Sequence, residues 1–331
     1  MKRYLLPETG KYYKANMHSH STLSDGQFTP EELKAWYKEH GYSVYAYTEH
    51  THLHDVRYLD DEDFITIPSY EIGFMEPEKP AFELYEGPAW HKAHREAIHM
   101  NLFAIDPEAK ELDLSDLKGQ FSVEVFNEAI RRAKAAGFFV SYNHPYWSHN
   151  EGDVYNNLEG ADAIEVLNGA SWRSSGMDYT PHVYREMAWH GKRLVCVAGD
   201  DNHRPHHLGL AWTMINANEL SHKAIMDSLQ AGNCYISAGP EIKELYVEDG
   251  YVHIKTSPAQ AIHFSTAGRR KLNVQIASDD DTPVTEASFK LEPIDVFFRI
   301  SVKDMRGRPA DTRIYYLDEG EWGFPEPETE A

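Results

Sequence analysis

Residues 12–50 read YYKANMHSHSTLSDGQFTPEELKAWYKEHGYSVYAYTEH, and the order of patterns in this stretch decides the fold class. The run YYKANMHSH suits a strand. After a loop, Thr29 stands as N-cap, Pro30 at the first helical position and Glu32 three residues on, the signature of a capping box, and Gly41 supplies a stop. A second strand-like run, YSVYAYTEH, follows at once. Strand, helix and strand in so short a span make a βα unit, whose two strands pair in parallel.

The same rhythm continues outward. Further strand candidates are FITIPSYEIG, AIHMNLFAI, FFVSYNHP, DAIEVLNG, RLVCVAGDD and LGLAWTMIN, with helices predicted near 122–136, 181–190 and 221–231. Residues 1–237 are therefore expected to form an α/β domain around a largely parallel sheet or barrel. After Ser237-Ala238-Gly239-Pro240 the helical period disappears and alternating runs take over, such as ELYVEDGYVHIKTS and DVFFRISVKD. Residues 238–318 are read as a small antiparallel β-sandwich domain, with Glu248-Asp249-Gly250 marking a hairpin turn. Residues 319–331 form an acidic, proline-bearing tail.

Composition narrows the function. The chain has 331 residues, 41% of them hydrophobic, which suits a globular protein of one large and one smaller domain. With 53 acidic against 32 basic residues, the net charge of −21 repels a phosphate backbone, so a nucleic-acid polymer is not an expected partner. No apolar run reaches the ~18 residues of a membrane span, and the first residues lack the apolar stretch of a secretory signal, so a cytoplasmic enzyme with no membrane partner is expected. Cys196 and Cys234 fall in apolar strand-like runs and are read as buried free thiols.

Nineteen histidines is a high count, and imidazole is the commonest protein metal ligand. Their placement matters more than their number. His18 and His20 end the first strand two apart, so both rings project to one side. Asp25 follows in SDG, His50 ends the next strand, and Glu71 stands in SYEIG. His99 stands in AIHMNLF, His144 in NHP, and Asp201 and His203 in GDDNH. Nine ligand-type residues thus recur in step with the strands, and in parallel barrels active sites assemble at the C-terminal strand ends. Six imidazoles and three carboxylates without a thiolate favour borderline or hard cations, consistent with zinc, manganese or iron.

The motifs HSHSTLSDG, TEH, the Glu of SYEIG, the His of IHMNLF, NHP and GDDNH resemble those of the polymerase and histidinol phosphatase (PHP) superfamily, over roughly residues 14–237. The stretch ELSHKAIMDSLQAGNCYISAGP, followed by strands, is similar to the branch with a C-terminal β domain. The resemblance implies a distorted seven-stranded (β/α) barrel with two or three divalent metal ions. It places His18, His20, Glu71 and Asp201 on one metal, has Glu71 bridge to a second held by His99 and His144, and assigns Asp25, His50 and His203 to a third. Two motifs depart from the family: Glu49 replaces the usual Asp of Thr-Asp-His, and Asp200 and Asn202 replace the usual Ser and Ala around Asp201. Both changes fall beside ligands, where hydrogen bonds tune metal affinity.

The expected activity is hydrolysis, favouring a phosphoesterase acting on a small phosphorylated metabolite or nucleotide through a metal-bound hydroxide. Amide, carbamate or carboxyl-ester hydrolysis is the second reading, and a non-catalytic metal-stabilised binding module the third. His18, His20, Glu71, Asp201 and His203 are the expected catalytic set. Arg204, Arg173 and His206 are candidates for substrate binding, with Lys92 and Arg95 as further basic options. His52 and His54 are read as a polar loop, and His91 and His94 are left out of the metal set. Asn143 and Asn168 are candidates to orient a ligand or cap a turn. The C-terminal domain is a candidate oligomer interface.

Overall fold

The computed structural model describes residues 2–76, 96–268, 273–277 and 282–323. His91, Lys92, His94, Arg95 and the end of the acidic tail lie outside the described residues. The opening unit forms strand β2 (Lys11–Asn16), helix α1 (Pro30–Glu39) and strand β3 (Val44–His50), after a short β1 (Arg3–Tyr4). The cap of α1 is reciprocal: the Glu32 N–H donates to Thr29 Oγ1 at 3.2 Å and the Thr29 N–H to Glu32 Oε2 at 2.8 Å. His18 and His20 follow β2 directly, while His50 is the last residue of β3.

The chain continues through β4 (Ile65–Met75), β5 (Ala97–Ala104), α2 (Val123–Ala135), β6 (Phe138–Tyr142), α3 (Gly152–Tyr155) and β7 (Ala163–Asn168). Then come α4 (Gly169–Ser175), α5 (Pro181–Trp189), β8 (Val195–Gly199), β9 (Trp212–Ala217), α6 (His222–Gln230) and β10 (Cys234–Ser237). The expectation of a largely parallel sheet needs correction. β2–β3, β3–β4, β6–β7 and β7–β8 are parallel, but β5 runs antiparallel to both β4 and β6, and β9 antiparallel to β2. This reversal has a consequence for the site: Glu71 lies within an eleven-residue strand rather than at its end, and His99 lies near the beginning of β5, where the pairing Gly73↔His99 brings it beside Glu71.

Strands β2 to β8 follow one another in a single hydrogen-bonded path, and no closed sheet is found among the described residues. Where β8 approaches β2 and β9, the seam is stitched by other means. The Ala198 N–H donates to Thr213 Oγ1 at 2.9 Å, the Asp200 N–H to Asn16 Oδ1 at 2.8 Å and the Asp201 N–H to the His18 carbonyl at 2.8 Å, and Ser19 and Asn202 form an isolated parallel bridge. Gly199 makes this approach possible. A Cβ there would lie 2.4 Å from His18 N and 2.5 Å from His18 Cβ, closer than real side chains come. One apolar cluster joins Ala15, Ala46, Ile67, Phe103, Phe139, Ala163 and Val197, drawn from all seven strands, with Ile225 and Leu229 of α6. Alternate side chains thus meet on one face of the sheet. Helices α2 and α5 cover the other face of β5–β8 through Phe126, Ile130, Val183 and Met187.

The C-terminal strands are β11 (Ile242–Glu248), β12 (Tyr251–Ala259), β13 (Ala261–Thr266), β14 (Asn273–Ile276), β15 (Val284–Lys290), β16 (Phe297–Lys303), β17 (Pro309–Thr312) and β18 (Tyr315–Tyr316). All their pairings are antiparallel. The β11–β12 hairpin turns at Asp249 (φ 49°) and Gly250 (φ 78°), the positive pair that a primed turn needs. Two layers result: a four-stranded sheet β1-β11-β12-β15, and β14-β13-β16-β17, which continues the large sheet through β10. Leu245, Ile254, Phe264, Phe289, Phe298 and Ile300 fill the space between. The first residues join this core too, since β1 pairs with β11 and Leu5 and Leu6 are buried there. Cys196 and Cys234 are buried free thiols. No helix among the described residues is long and apolar enough to cross a membrane.

Candidate metal centre

The nine ligand-type residues converge. Glu71 is the hub: its carboxylate lies 3.3 Å from His18 Nε2, 3.6 Å from His20 Nε2, 3.0 Å from His50 Nδ1, 3.1 Å from His99 Nδ1 and 3.3 Å from His144 Nε2. Asp201 Oδ1 lies 3.5 Å from His18, 3.1 Å from His20 and 3.6 Å from His203. Asp25 closes the other side, 3.8 Å from His20, 3.6 Å from His50 and 3.3 Å from His203. Three ligand groups emerge: His20, Asp25, His50 and His203; His18, Glu71 and His144; and His18, His20 and Asp201.

The centre has a buried and an open half. The side chains of His18, His20 and Glu71 are at most 1% exposed, whereas those of Asp25, His50 and His203 are 55%, 36% and 28% exposed. Electrostatics inside are strong. Burial opposes a charged carboxylate, but His99, His18 and His144 hold Glu71 well below the usual range. His18 and His20 likewise hold Asp201 low against burial. Burial disfavours protonated His144, yet the Glu71, Asp201 and Glu165 carboxylates carry it up to about 9. His18 is raised against burial by Asp201, Glu165 and Glu71, whereas burial prevails at His20 and lowers it.

The chain is strained where it delivers these groups. His144 has φ 25° and Asp201 φ 50°, and Thr51, next to His50, has φ 71°. Non-glycine residues rarely adopt positive φ, and each instance costs roughly 1–3 kcal/mol, so the surrounding packing must impose it.

Residues outside the nine hold them in place. Glu49 accepts the Ser21 N–H at 3.0 Å and the Ser21 and Ser24 hydroxyls, each at 2.5 Å, and so fixes the loop leading to Asp25. Asp200 accepts the Tyr37 hydroxyl at 2.5 Å and the N–H groups of Gly209, Leu210 and Ala211. Burial raises its carboxyl to about 6 despite these donors. Asn202 Oδ1 accepts the Tyr45 hydroxyl at 3.0 Å, and its Nδ2 donates to the His20 carbonyl at 3.1 Å. Asn143 donates to Glu71 Oε1 at 3.1 Å. Asn168 both caps α4, accepting the Ser171 N–H, and donates to Asp201 Oδ2 at 3.0 Å.

Sequence reasoning missed Glu165. It lies 1% exposed inside β7, with Oε1 2.9 Å from His18 Nδ1. A signal was present: one charge in the apolar run AIEVLN must find a partner when buried. The substrate-binding candidates lie differently. Arg204, Arg173 and His206 are exposed, and loop and helix meet where His207 Nε2 lies 3.2 Å from Ser174 Oγ. His52 pairs with Glu111 at 3.2 Å, and His54 lines a separate 270 Å³ cavity with Arg57 and Lys110.

The donor set fits divalent cations. His18 Nε2 and both ring nitrogens of His20 are buried with no hydrogen-bond partner. Each Nε2 lies near a carboxylate, but outside hydrogen-bond alignment. Buried imidazole nitrogens that face carboxylates without bonding them are suited to share a cation.

Residues 190–234 match the family model PHP_C, described as PHP-associated. No curated protein matches the chain. Among solved structures it is similar to a two-domain protein from Bacteroides vulgatus, named as containing a predicted PHP-like metal-dependent phosphoesterase (16% identity, TM-score 0.46, covering 95% of this chain and 90% of that one). It is also similar to a candidate metal-dependent phosphoesterase from Bifidobacterium adolescentis (15% identity, TM-score 0.39, 61% and 90%). A third is an amidohydrolase from Chromobacterium violaceum with bound sulfate and no metal (16% identity, TM-score 0.39, 58% and 88%). The PHP-associated match covers the stretch that carries Asp201 and His203, and it supports the place in the PHP superfamily to which the ligand-bearing motifs point.

Proposed function

We propose that the chain is a metal-dependent hydrolase, with a phosphoesterase acting on a small phosphorylated molecule as the leading activity. The observation that carries this reading is the set of buried, unbonded nitrogens on His18 and His20 facing Glu71 and Asp201. Two or three divalent ions, zinc, manganese or iron, would be held by the three ligand groups, with His99 added through its 3.1 Å approach to Glu71. When bound, such ions supply Lewis-acid polarisation of the attacked group and make water acidic near neutral pH.

The chain's own residues do the rest. Glu71, His18 and His20 fix the buried floor, where charge is felt strongly, and Asp201 joins it from a partly exposed position. Asp25, His50 and His203 form the open side from which substrate enters. Arg204 and Arg173 stand outside it as candidates to grip a phosphate, with His206 on the same loop as Arg204. The His203 N–H reaches His207 Nδ1 at 3.4 Å and His207 Nε2 lies 3.2 Å from Ser174 Oγ, so His207 ties the loop after His203 to α4 at the mouth. A distorted seven-stranded barrel is part of the proposal, supported by the β2–β8 path and by the cluster drawn from all seven strands. So is a division near residue 237 into barrel and β-sandwich.

A second reading, amide or carbamate hydrolysis, is favoured by one observation. Among the described residues, no Arg or Lys is hydrogen-bonded or ion-paired with any of the nine, so a phosphate would rely on the cations and the outer arginines for neutralisation. Metal-loaded protein tested on phosphomonoesters, phosphodiesters, carbamates and amides separates the two. Turnover of a phosphate ester supports the leading reading, and turnover of carbonyl substrates alone replaces it with the second.

A further inference from the structure

Strand β7 is the exception among the seven strands: neither it nor the segment directly after it supplies any of the nine ligands. Yet it carries Glu165 and Asn168, three residues apart and both buried. Glu165 Oε1 meets His18 Nδ1 at 2.9 Å, and Oε2 accepts the backbone N–H of His144 at 3.2 Å and Asn168 Nδ2 at 3.0 Å. The same Asn168 Nδ2 reaches Asp201 Oδ2 at 3.0 Å. One carboxylate and one amide thus touch three ligand residues brought from β2, β6 and β8.

We infer that Glu165 and Asn168 form a positioning pair that selectively sets the buried half of the metal centre. The inference rests on the metal-dependent reading above. With Nδ1 of His18 engaged by Glu165, the nitrogen turned toward Glu71 and Asp201 is Nε2. A carboxylate behind a ligating imidazole fixes its ring and raises its donor strength. The bond to the His144 N–H acts on the backbone, at a residue whose φ of 25° needs an external hold. The pair therefore acts on the group His18, Glu71 and His144 and on the group His18, His20 and Asp201. Neither residue touches Asp25, His50 or His203, which make most of the remaining group. That group is held instead by Glu49 through the Ser21–Ser24 loop.

The test uses the full chain and zinc alone. Glu165→Gln keeps the shape but turns an NH2 donor toward the His144 N–H and Asn168 Nδ2, both donors themselves. Zinc affinity is read by chelator competition, stoichiometry by elemental analysis, and folding by the thermal midpoint of the metal-free proteins. The expected result is a loss of roughly 10- to 100-fold in affinity for the buried class of sites, with the open class unchanged. Asn168→Ser provides a second variant, since serine can still cap α4 but cannot reach Glu165 and Asp201 together. It should weaken the same class by less. Wild-type affinity in both variants, or an equal loss at every site, would overturn the inference. Absence of zinc binding by the wild-type chain would instead overturn the metal-dependent reading.

Discussion

The buried and open halves of the centre are built on opposite principles. On the buried side, Glu71, His18 and Asp201 are surrounded by groups that each serve a neighbour: Asn143 on Glu71, Glu165 on His18, Asn168 on Asp201. On the open side, Asp25 leaves a loop with 55% of its side chain exposed, and its partners are the imidazoles of His20, His50 and His203. A preorganised floor and an accessible rim are what a hydrolytic metal site needs, since the floor keeps its geometry while substrate exchanges at the rim.

The largest effect is expected at Glu71, where five imidazoles meet. Glu71→Ala should abolish zinc uptake by the buried groups and reduce turnover to background, as measured by elemental analysis and steady-state assay. Retained activity would break the distinction between floor and rim. Next comes Gly199→Ala. A Cβ 2.4 Å from His18 N must push β8 away from His18, at a cost of about 1–3 kcal/mol in denaturant unfolding together with weaker zinc binding. Asp25→Asn should act on one class of site only, lowering affinity there by at least roughly 10-fold while the buried class stays loaded. The smallest effect belongs to Thr29→Ala, remote from both halves. Losing the cap should cost about 1 kcal/mol of stability with zinc stoichiometry unchanged.

The two halves also differ in how far the sequence reveals them. Ligand-type residues were readable because they recur beside strands, and the geometry brings eight of the nine into ligand groups, with His99 joining through Glu71. The resemblance assigns Asp25, His50 and His203 to one metal, and the geometry sets His20 beside them, while His18 lies both with Glu71 and His144 and with His20 and Asp201. The capping box of α1 and the Asp249-Gly250 turn were legible because each is fixed by residues within a few positions. The direction of β5 was not, because AIHMNLFA has the same apolar pattern whichever way it runs. The pairing of β1 with β11 joins residues 3 and 247, a contact that leaves no local trace. Glu165 was hidden for the same reason, and Asp200 was visible only as a departure beside Asp201, since its partners Tyr37 and Gly209–Ala211 lie on a helix far back in the chain and on a loop.

The most direct test is anomalous diffraction from crystals of the zinc-loaded full chain. The account predicts at least one zinc bound by the Glu71 carboxylate and His18 Nε2, and another bound by Asp25 with His50 and His203. Strong anomalous peaks elsewhere, with none in contact with Glu71 or His18, would contradict it.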